Sequence, residues 1–295
     1  MVGKLGQGGM GGVFCVEDKV LERRVALKVI SVADSEGRGS ARLQGEARII
    51  ARLEHPGIIP VHDAGMLPDG RPYYTMKLVQ GERLDEYISH VSLSDRLRLF
   101  LRICDAVAFA HAHGVLHRDL KPSNVMVGAF GEVLLMDWGL SKLVGSPDKA
   151  ALVEDGGAST PTAPRGTDDG TVLGTPGYMA PEQRRGDGSV DHRADVYSLG
   201  AILHFFLTDA GAQPTPRALA AICRRATVVE RNERYQSVPE LANDVAHFLD
   251  GLAVSAYPEG PLATARRWIV RNRVWILLLV AYVITRALLI IFQPR

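Results

Sequence analysis

The run His117-Arg118-Asp119-Leu120-Lys121-Pro122-Ser123-Asn124, with Asp137-Trp138-Gly139 farther on, gathers a carboxylate, an ammonium and two metal-binding side chains into one neighbourhood. Those are the parts that phosphoryl transfer needs. Negative charge spreads over the oxygens of the transferred group, so a protein has mainly to position and neutralise it. Asp119 is the expected base, a carboxylate within reach of an acceptor hydroxyl. Lys121, two residues on, adds a cation beside the same group. Asn124 and Asp137 offer oxygen ligands suited to Mg²⁺, a hard cation that keeps several waters and is shared with phosphates.

Toward the amino terminus, Leu5-Gly6-Gln7-Gly8-Gly9-Met10-Gly11-Gly12-Val13 is a glycine-rich loop with Gly6, Gly8 and Gly11 as candidate phosphate-covering positions. Alone it serves dinucleotide folds and plain turns equally well. The following Val25-Ala26-Leu27-Lys28 decides between them. It reads as a strand delivering one cation to the phosphates, whereas a dinucleotide fold would want an acidic residue about twenty positions on.

From about residue 3 to 249 these blocks follow in an order that resembles the eukaryotic-type Ser/Thr protein kinases of bacteria. The resemblance implies an α+β, two-lobed protein-kinase-like fold, a small β-rich lobe over a larger helical one. It implies ATP and Mg²⁺ as cofactors and proteins bearing Ser/Thr acceptors as substrates, the Lys-Pro-Ser-Asn form being that of Ser/Thr rather than Tyr kinases. Glu46, on a helix expected over residues 39–53, falls where the family places the partner of Lys28. Tyr73-Tyr74-Thr75-Met76 has the composition of a strand, with Met76 guarding the inner pocket. The backbone of the linker Lys77-Leu78-Val79 would meet adenine between Val13, Ala26 and Met126, three residues that serve equally well as plain core. Arg118 is the position through which many relatives respond to loop phosphorylation, with Thr167, Thr171 and, after them, Thr175 as candidate acceptors here. Thr175, in Gly174-Thr175-Pro176, matches a residue that hydrogen-bonds near Asp119 and Lys121. Glu182, of Ala180-Pro181-Glu182, matches the partner of Arg234, and Asp195 lies in an apolar helix over residues 191–207. Trp138 replaces the family's usual phenylalanine, and a large aromatic there is expected to pack under Ile50 and beside His117 and to leave activity intact.

The chain has 295 residues, 46% of them hydrophobic and 23% charged, enough for a sizeable core in two lobes. Thirty-four basic residues balance thirty-three acidic ones, and no basic and aromatic residues interleave, so no nucleic-acid partner is expected. Cys15, Cys104 and Cys223 form no metal-binding or disulfide spacing and read as reduced core residues. The start carries no secretory leader, which predicts a cytoplasmic kinase part, and the first strand is short.

The expected organisation is a small lobe over residues 1–79, a large lobe over 80–258 with a long activation loop at 137–182, a basic juxtamembrane segment at 259–273, and a transmembrane helix at 274–292. Residues 145–170 are rich in Gly, Ser, Thr, Pro and Asp and too poor in large apolar residues to offset ordering, in a loop or a plain linker alike. The family's helix between those at 191–207 and 218–226 is expected to be shortened or absent, which bears on substrate docking. Residues 274–292 form an apolar run of 19, near the ~20 that cross a bilayer. Its one charge, Arg286, would cost roughly 2.5–3.5 kcal/mol at a helix centre and less when it snorkels from the end. Arg266, Arg267, Arg271 and Arg273 precede it, with Trp268 and Trp275 at the interface, so the expectation is one pass through the cytoplasmic membrane with the kinase part inside. The competing reading is an amphipathic or core-docked terminal helix. For the whole chain the rivals are a nucleotide-binding scaffold without transfer and, more remotely, a small-molecule kinase.

Overall fold

The structure is a computed structural model describing residues 3–8, 11–30, 38–138, 142–143, 177–187, 190–208, 214–258, 269 and 272–291, with backbone alone at 8, 30, 38–42, 90, 142–143 and 287–291. It has two lobes, a β-sheet lobe with one helix and a helical lobe.

The smaller lobe is a five-stranded antiparallel sheet of β1 (Gly3–Gly8), β2 (Gly11–Asp18), β3 (Arg23–Ile30), β4 (Val61–Met66) and β5 (Pro72–Lys77), in the order β1-β2-β3-β5-β4. The β2–β3 turn closes because the Asp18 carboxylate accepts from the Val20 and Leu21 amides at 3.1 and 3.2 Å, the turn chemistry aspartate favours. Pro72, Tyr74 and Met76 alternate inward along β5. Helix α1 (Arg38–Ile50) lies against that face with Leu43, Ala47 and Ile50 buried at helical spacing. Glu46 sits on the same side, so the helix buries a carboxylate along with its apolar stripe.

The chain then passes through β6 (Gly81–Arg83) and α2 (Leu84–Tyr87) into α3 (Leu93–Ala112). Ser92 caps α3 by accepting from the Asp95 amide, and Leu97, Phe100, Ile103, Cys104, Val107 and Ala110 give it a fully apolar face. Strands β7 (Val115–Leu116), β8 (Val125–Gly128), β9 (Val133–Leu135) and β10 (Lys142–Leu143) form two small sheets, β6-β8-β9 and β7-β10, that frame residues 117–124.

Below them lie α4 (Pro181–Arg184), α5 (Arg193–Thr208), α6 (Arg217–Ala226) and α7 (Val238–Leu249). Helix α5 is buried on nearly all sides, and each large side chain such as Leu199, Ile202 or Phe206 contributes about 1.5–3 kcal/mol by leaving water. Gly200 is what lets α6 approach: a Cβ there would stand 2.5 Å from the Ala226 Cβ. The three cysteines are free and buried, and burial pushes the Cys223 thiol up to about 12.

The last helix, α8, runs Arg273–Ile291, and Val274, Trp275, Leu277, Leu278, Leu279 and Val283 are exposed on it. Among the described residues no helix is long and apolar enough to cross a membrane. The transmembrane helix expected at 274–292 is therefore not seen as a span. Phe292, Arg266, Arg267, Arg271 and Trp268 lie outside the described residues.

Candidate active site

The antiparallel register of β3 and β5 sets Lys28 opposite Tyr74 and Ala26 opposite Met76. Lys28 thereby faces α1, and its Nζ pairs with Glu46 Oε1 at 2.8 Å. The same ammonium reaches Asp137 Oδ1, from the other lobe, at 2.6 Å. Burial works against the Lys28 charge, yet the attraction of Glu46 and Asp137 outweighs it and holds the pKa above 10.5. Asp137 shows the mirror effect: burial pushes its carboxyl up, and Lys28 brings it below the ordinary value.

The loop at 117–124 is pinned from beneath. Asp195, buried at the start of α5, accepts from the His117 and Arg118 amides at 2.9 and 2.8 Å and meets His111 Nε2 at 2.8 Å. Burial alone would raise its pKa, but the hydrogen bond and charge of His111, with the hydrogen bond from the His117 amide, hold it below 3.8. Arg118 and Asp137 have φ of +67° and +62°, the left-handed region that costs a non-glycine residue of order 1–3 kcal/mol. The Asp195 carboxylate supplies the hold that such a conformation needs at Arg118.

His117 is fully buried, and burial keeps its pKa below 6.5, so the ring is neutral. Its Nε2 donates to the Met136 carbonyl at 3.1 Å and its Nδ1 accepts from the Asp119 amide at 3.3 Å, which assigns the tautomer. Trp138, also buried, packs on that ring at 4.5 Å between centroids. A tryptophan in this place is thus accommodated by the imidazole and the surrounding core.

Asp119 Oδ2 receives Lys121 Nζ at 2.8 Å and Asn124 Nδ2 at 3.0 Å. Asn124 Nδ2 also donates to the Asp119 carbonyl at 2.8 Å, which turns the amide oxygen the other way. The Met136 amide donates to the Asn124 carbonyl at 2.9 Å and brings Asp137 alongside. Two hard oxygen donors, on Asn124 and Asp137, fit a hard cation that takes its other ligands from phosphate and water. Among the described residues no three His, Cys, Asp or Glu side chains group as a metal site by themselves.

Above the loop, Gly6 pairs with Val13 and Gly8 with Gly11 in the β1–β2 hairpin. Val13 lies opposite Lys28, Met126 is in β8 opposite Arg83 and Leu134, and Val79, half-buried, packs on the core between the lobes. Ala26 and Met76 are fully buried. Below, Glu182 and Arg234 form a bidentate pair at 2.7 and 2.8 Å. Thr167, Thr171 and Thr175, with most of the loop at 137–182, lie outside the described residues.

Three participants escaped the sequence reading. His111 supports Asp195, and Gln183 Nε2 donates to the Arg118 carbonyl at 2.8 Å while its Oε1 accepts from the Ala180 amide. Gln183 had a signal, since a Gln at the third position of a helix is placed to reach back to its start. Tyr74 hydrogen-bonds Glu46 at 2.8 Å, which only the strand register reveals.

A separate cavity of about 420 Å³ opens between α6, α7 and residues 253–255. Its polar walls satisfy one another: Tyr235 donates to Asp244 at 2.7 Å, Ser255 to Asp244 at 2.8 Å, and Arg225 to Ser255 at 2.9 Å. That network fastens the chain leading out of the lobe.

With lobes, cleft and charges in this arrangement, the chain belongs to the protein kinase domain family, whose model matches residues 1–257. Among curated relatives, the serine/threonine-protein kinase PknD of Protochlamydia amoebophila is 34% identical over 85% of this chain and 30% of that protein. PknD of Chlamydia pneumoniae is 34% identical over 84% of this chain and 30% of that protein. The chain thus spans about 30% of the length of these relatives. The crystal structure of the PknI kinase domain of Mycobacterium tuberculosis matches with a TM-score of 0.60 and 29% identity, covering 83% of this chain and 94% of that one.

Proposed function

We propose that this chain is a serine/threonine protein kinase that transfers the γ-phosphoryl group of ATP to protein hydroxyls, anchored at the cytoplasmic membrane by its C-terminal helix. The observation that carries the transfer is Lys28 bridging the lobes, at 2.8 Å from Glu46 and 2.6 Å from Asp137. It marks a closed, charged cleft poised for a polyphosphate.

Within that cleft, Gly6, Gly8 and Gly11 cover the phosphates, and Val13, Ala26, Met76, Val79 and Met126 form the apolar wall for the base. Lys28 directs its ammonium at the phosphates while Glu46 keeps it extended. Asn124 and Asp137 would hold Mg²⁺, which would neutralise charge on the phosphate oxygens. Asp119 orients the acceptor hydroxyl and takes its proton through Oδ1, because Oδ2 is engaged by Lys121 and Asn124. Lys121 faces the developing charge. Asp195, through the His117 and Arg118 amides, and Glu182 with Arg234 hold the floor of the site. Arg118 is the receiver for a phosphate on Thr167 or Thr171 or, after them, Thr175. The same filled positions argue against a scaffold that only binds nucleotide.

Incubating the chain with labelled ATP, Mg²⁺ and a generic protein acceptor tests the transfer. The wild type should incorporate label and Asp119→Asn should fall by about 10²–10⁴-fold. Equal labelling by both, or none by the wild type, sinks the proposal. The anchor is supported by the apolar run at 274–292, the basic residues before it and the exposed apolar side chains of α8. Carbonate washing should leave the protein in the membrane pellet, and release into the supernatant would refute the anchor.

A further inference from the structure

Tyr74 is 1% exposed, on the inward face of β5. Directly paired residues of adjacent strands project to the same side, so the Lys28–Tyr74 register sends both toward α1. The Tyr74 hydroxyl donates to Glu46 Oε1 at 2.8 Å, the same oxygen that Lys28 Nζ reaches at 2.8 Å. The ammonium stands 5.7 Å from the centroid of the tyrosine ring.

Glu46 therefore has two donors of different character. Lys28 is a charge on a flexible stem that also serves Asp137 and, in the proposed reaction, the phosphates. Tyr74 is a neutral donor on a ring fixed by packing. Burial first, and then the Glu46 charge, hold its phenol well above 10, so the hydroxyl keeps its proton across the physiological range.

We propose that Tyr74 is a positioning residue whose hydroxyl keeps Glu46, and with it α1, docked when Lys28 turns to the nucleotide, so that the nucleotide site stands preformed. This rests on the kinase reading above and names a residue for the same site. Without the hydroxyl, α1 is docked for only a fraction of the time, and apparent nucleotide affinity drops by that fraction. The expected factor is about tenfold, the scale of a hydrogen bond to a charged group.

The test is the affinity of the full chain for a non-transferable β,γ-imido analogue of ATP with Mg²⁺, measured by calorimetry in detergent. Tyr74→Phe should weaken binding about tenfold, while Tyr73→Phe, which alters the other face of the strand, leaves it unchanged. In a Glu46→Ala background, adding Tyr74→Phe should weaken it no further. A Kd for Tyr74→Phe within threefold of wild type overturns the proposal, whether or not the melting temperature drops. So does a further loss of threefold or more in the Glu46→Ala background, since Tyr74 would then act independently of Glu46. Binding without phosphate transfer by the wild type would defeat the kinase reading alone. Normal transfer with unchanged affinity in Tyr74→Phe would defeat this one alone. Absence of nucleotide binding by the wild type would defeat both.

Discussion

Arg234 in the helical lobe and Lys28 in the cleft both tie distant stretches of chain through buried carboxylates, yet they use their donors differently. Arg234 has five N–H donors, and all five are engaged, two by Glu182 and three by the carbonyls of Val228, Val229 and Arg193. Lys28 has three, of which Glu46 and Asp137 engage two among the described residues. The arginine side chain is wholly buried, while the lysine keeps 16% of its surface open to the cleft. A saturated cation fixes the chain around it, whereas a cation with capacity left, beside a half-exposed carboxylate, can bind something that arrives. Burial and pairing alone do not mark a functional charge; unused bonding capacity facing a cavity does.

The largest way to break the comparison is Arg234→Ala, which strands Glu182 and three carbonyls. The expected loss is about 3–5 kcal/mol of stability, a melting temperature lower by roughly 10 °C. A loss under about 1 kcal/mol in a denaturant titration would show that the fixed pair is dispensable. Next comes Lys28→Met, for which kcat/KM should drop by about 10²–10³-fold with a smaller loss of melting temperature than in Arg234→Ala, because Tyr74 still donates to Glu46. Equal destabilisation by the two substitutions would erase the distinction between them.

The smallest effect is in pH. Folded His117 binds a proton less readily than the unfolded chain, so below pH 6.5 the unfolded state takes up more protons and stability declines. Glu182, where burial raises the pKa and Arg234 more than offsets it, lies below 4.5, and Asp195 lies below 3.8, so both add to the decline as pH falls further. Lys28 runs the other way, contributing below pH 10.5 and losing its contribution as pH rises beyond. Urea midpoints should therefore form a plateau between about pH 6.5 and 9, above which the unfolded chain ionises the Cys104 and Cys223 thiols that the fold keeps protonated, and descend on both sides. A midpoint that rises from pH 7 to pH 5 would contradict the neutral, buried His117.

The fold was legible because its determinants are local. The aromatic and β-branched composition of residues 73–76 marks a strand, and helical spacing through Leu43, Ala47 and Ile50 expresses which side of α1 meets the core. Helix ends shifted by a few residues, α1 closing at Ile50 rather than 53 and α5 opening at Arg193 rather than 191. At the start of α5, Asp191 is occupied as a cap, its carboxylate accepting from the Arg193 amide at 2.9 Å. The sequence places Trp138 beside His117, and the two rings do meet, with centroids 4.5 Å apart. Among site residues, Asp119, Lys121 and Asn124 were readable as a group because they lie within one short loop.

The sequence by itself determined the order of the motifs, the chemistry each side chain can perform and the faces that must be buried, since these depend on residues a few positions apart. Only the tertiary structure decided that Lys28, Glu46 and Asp137 meet at hydrogen-bonding distance, that Asp195 and His111 hold the loop above them, and that Tyr74 shares an oxygen with Lys28. Those meetings join residues as much as 109 positions apart. Their distances follow from strand register and helix packing, which the whole chain sets at once and no single stretch encodes.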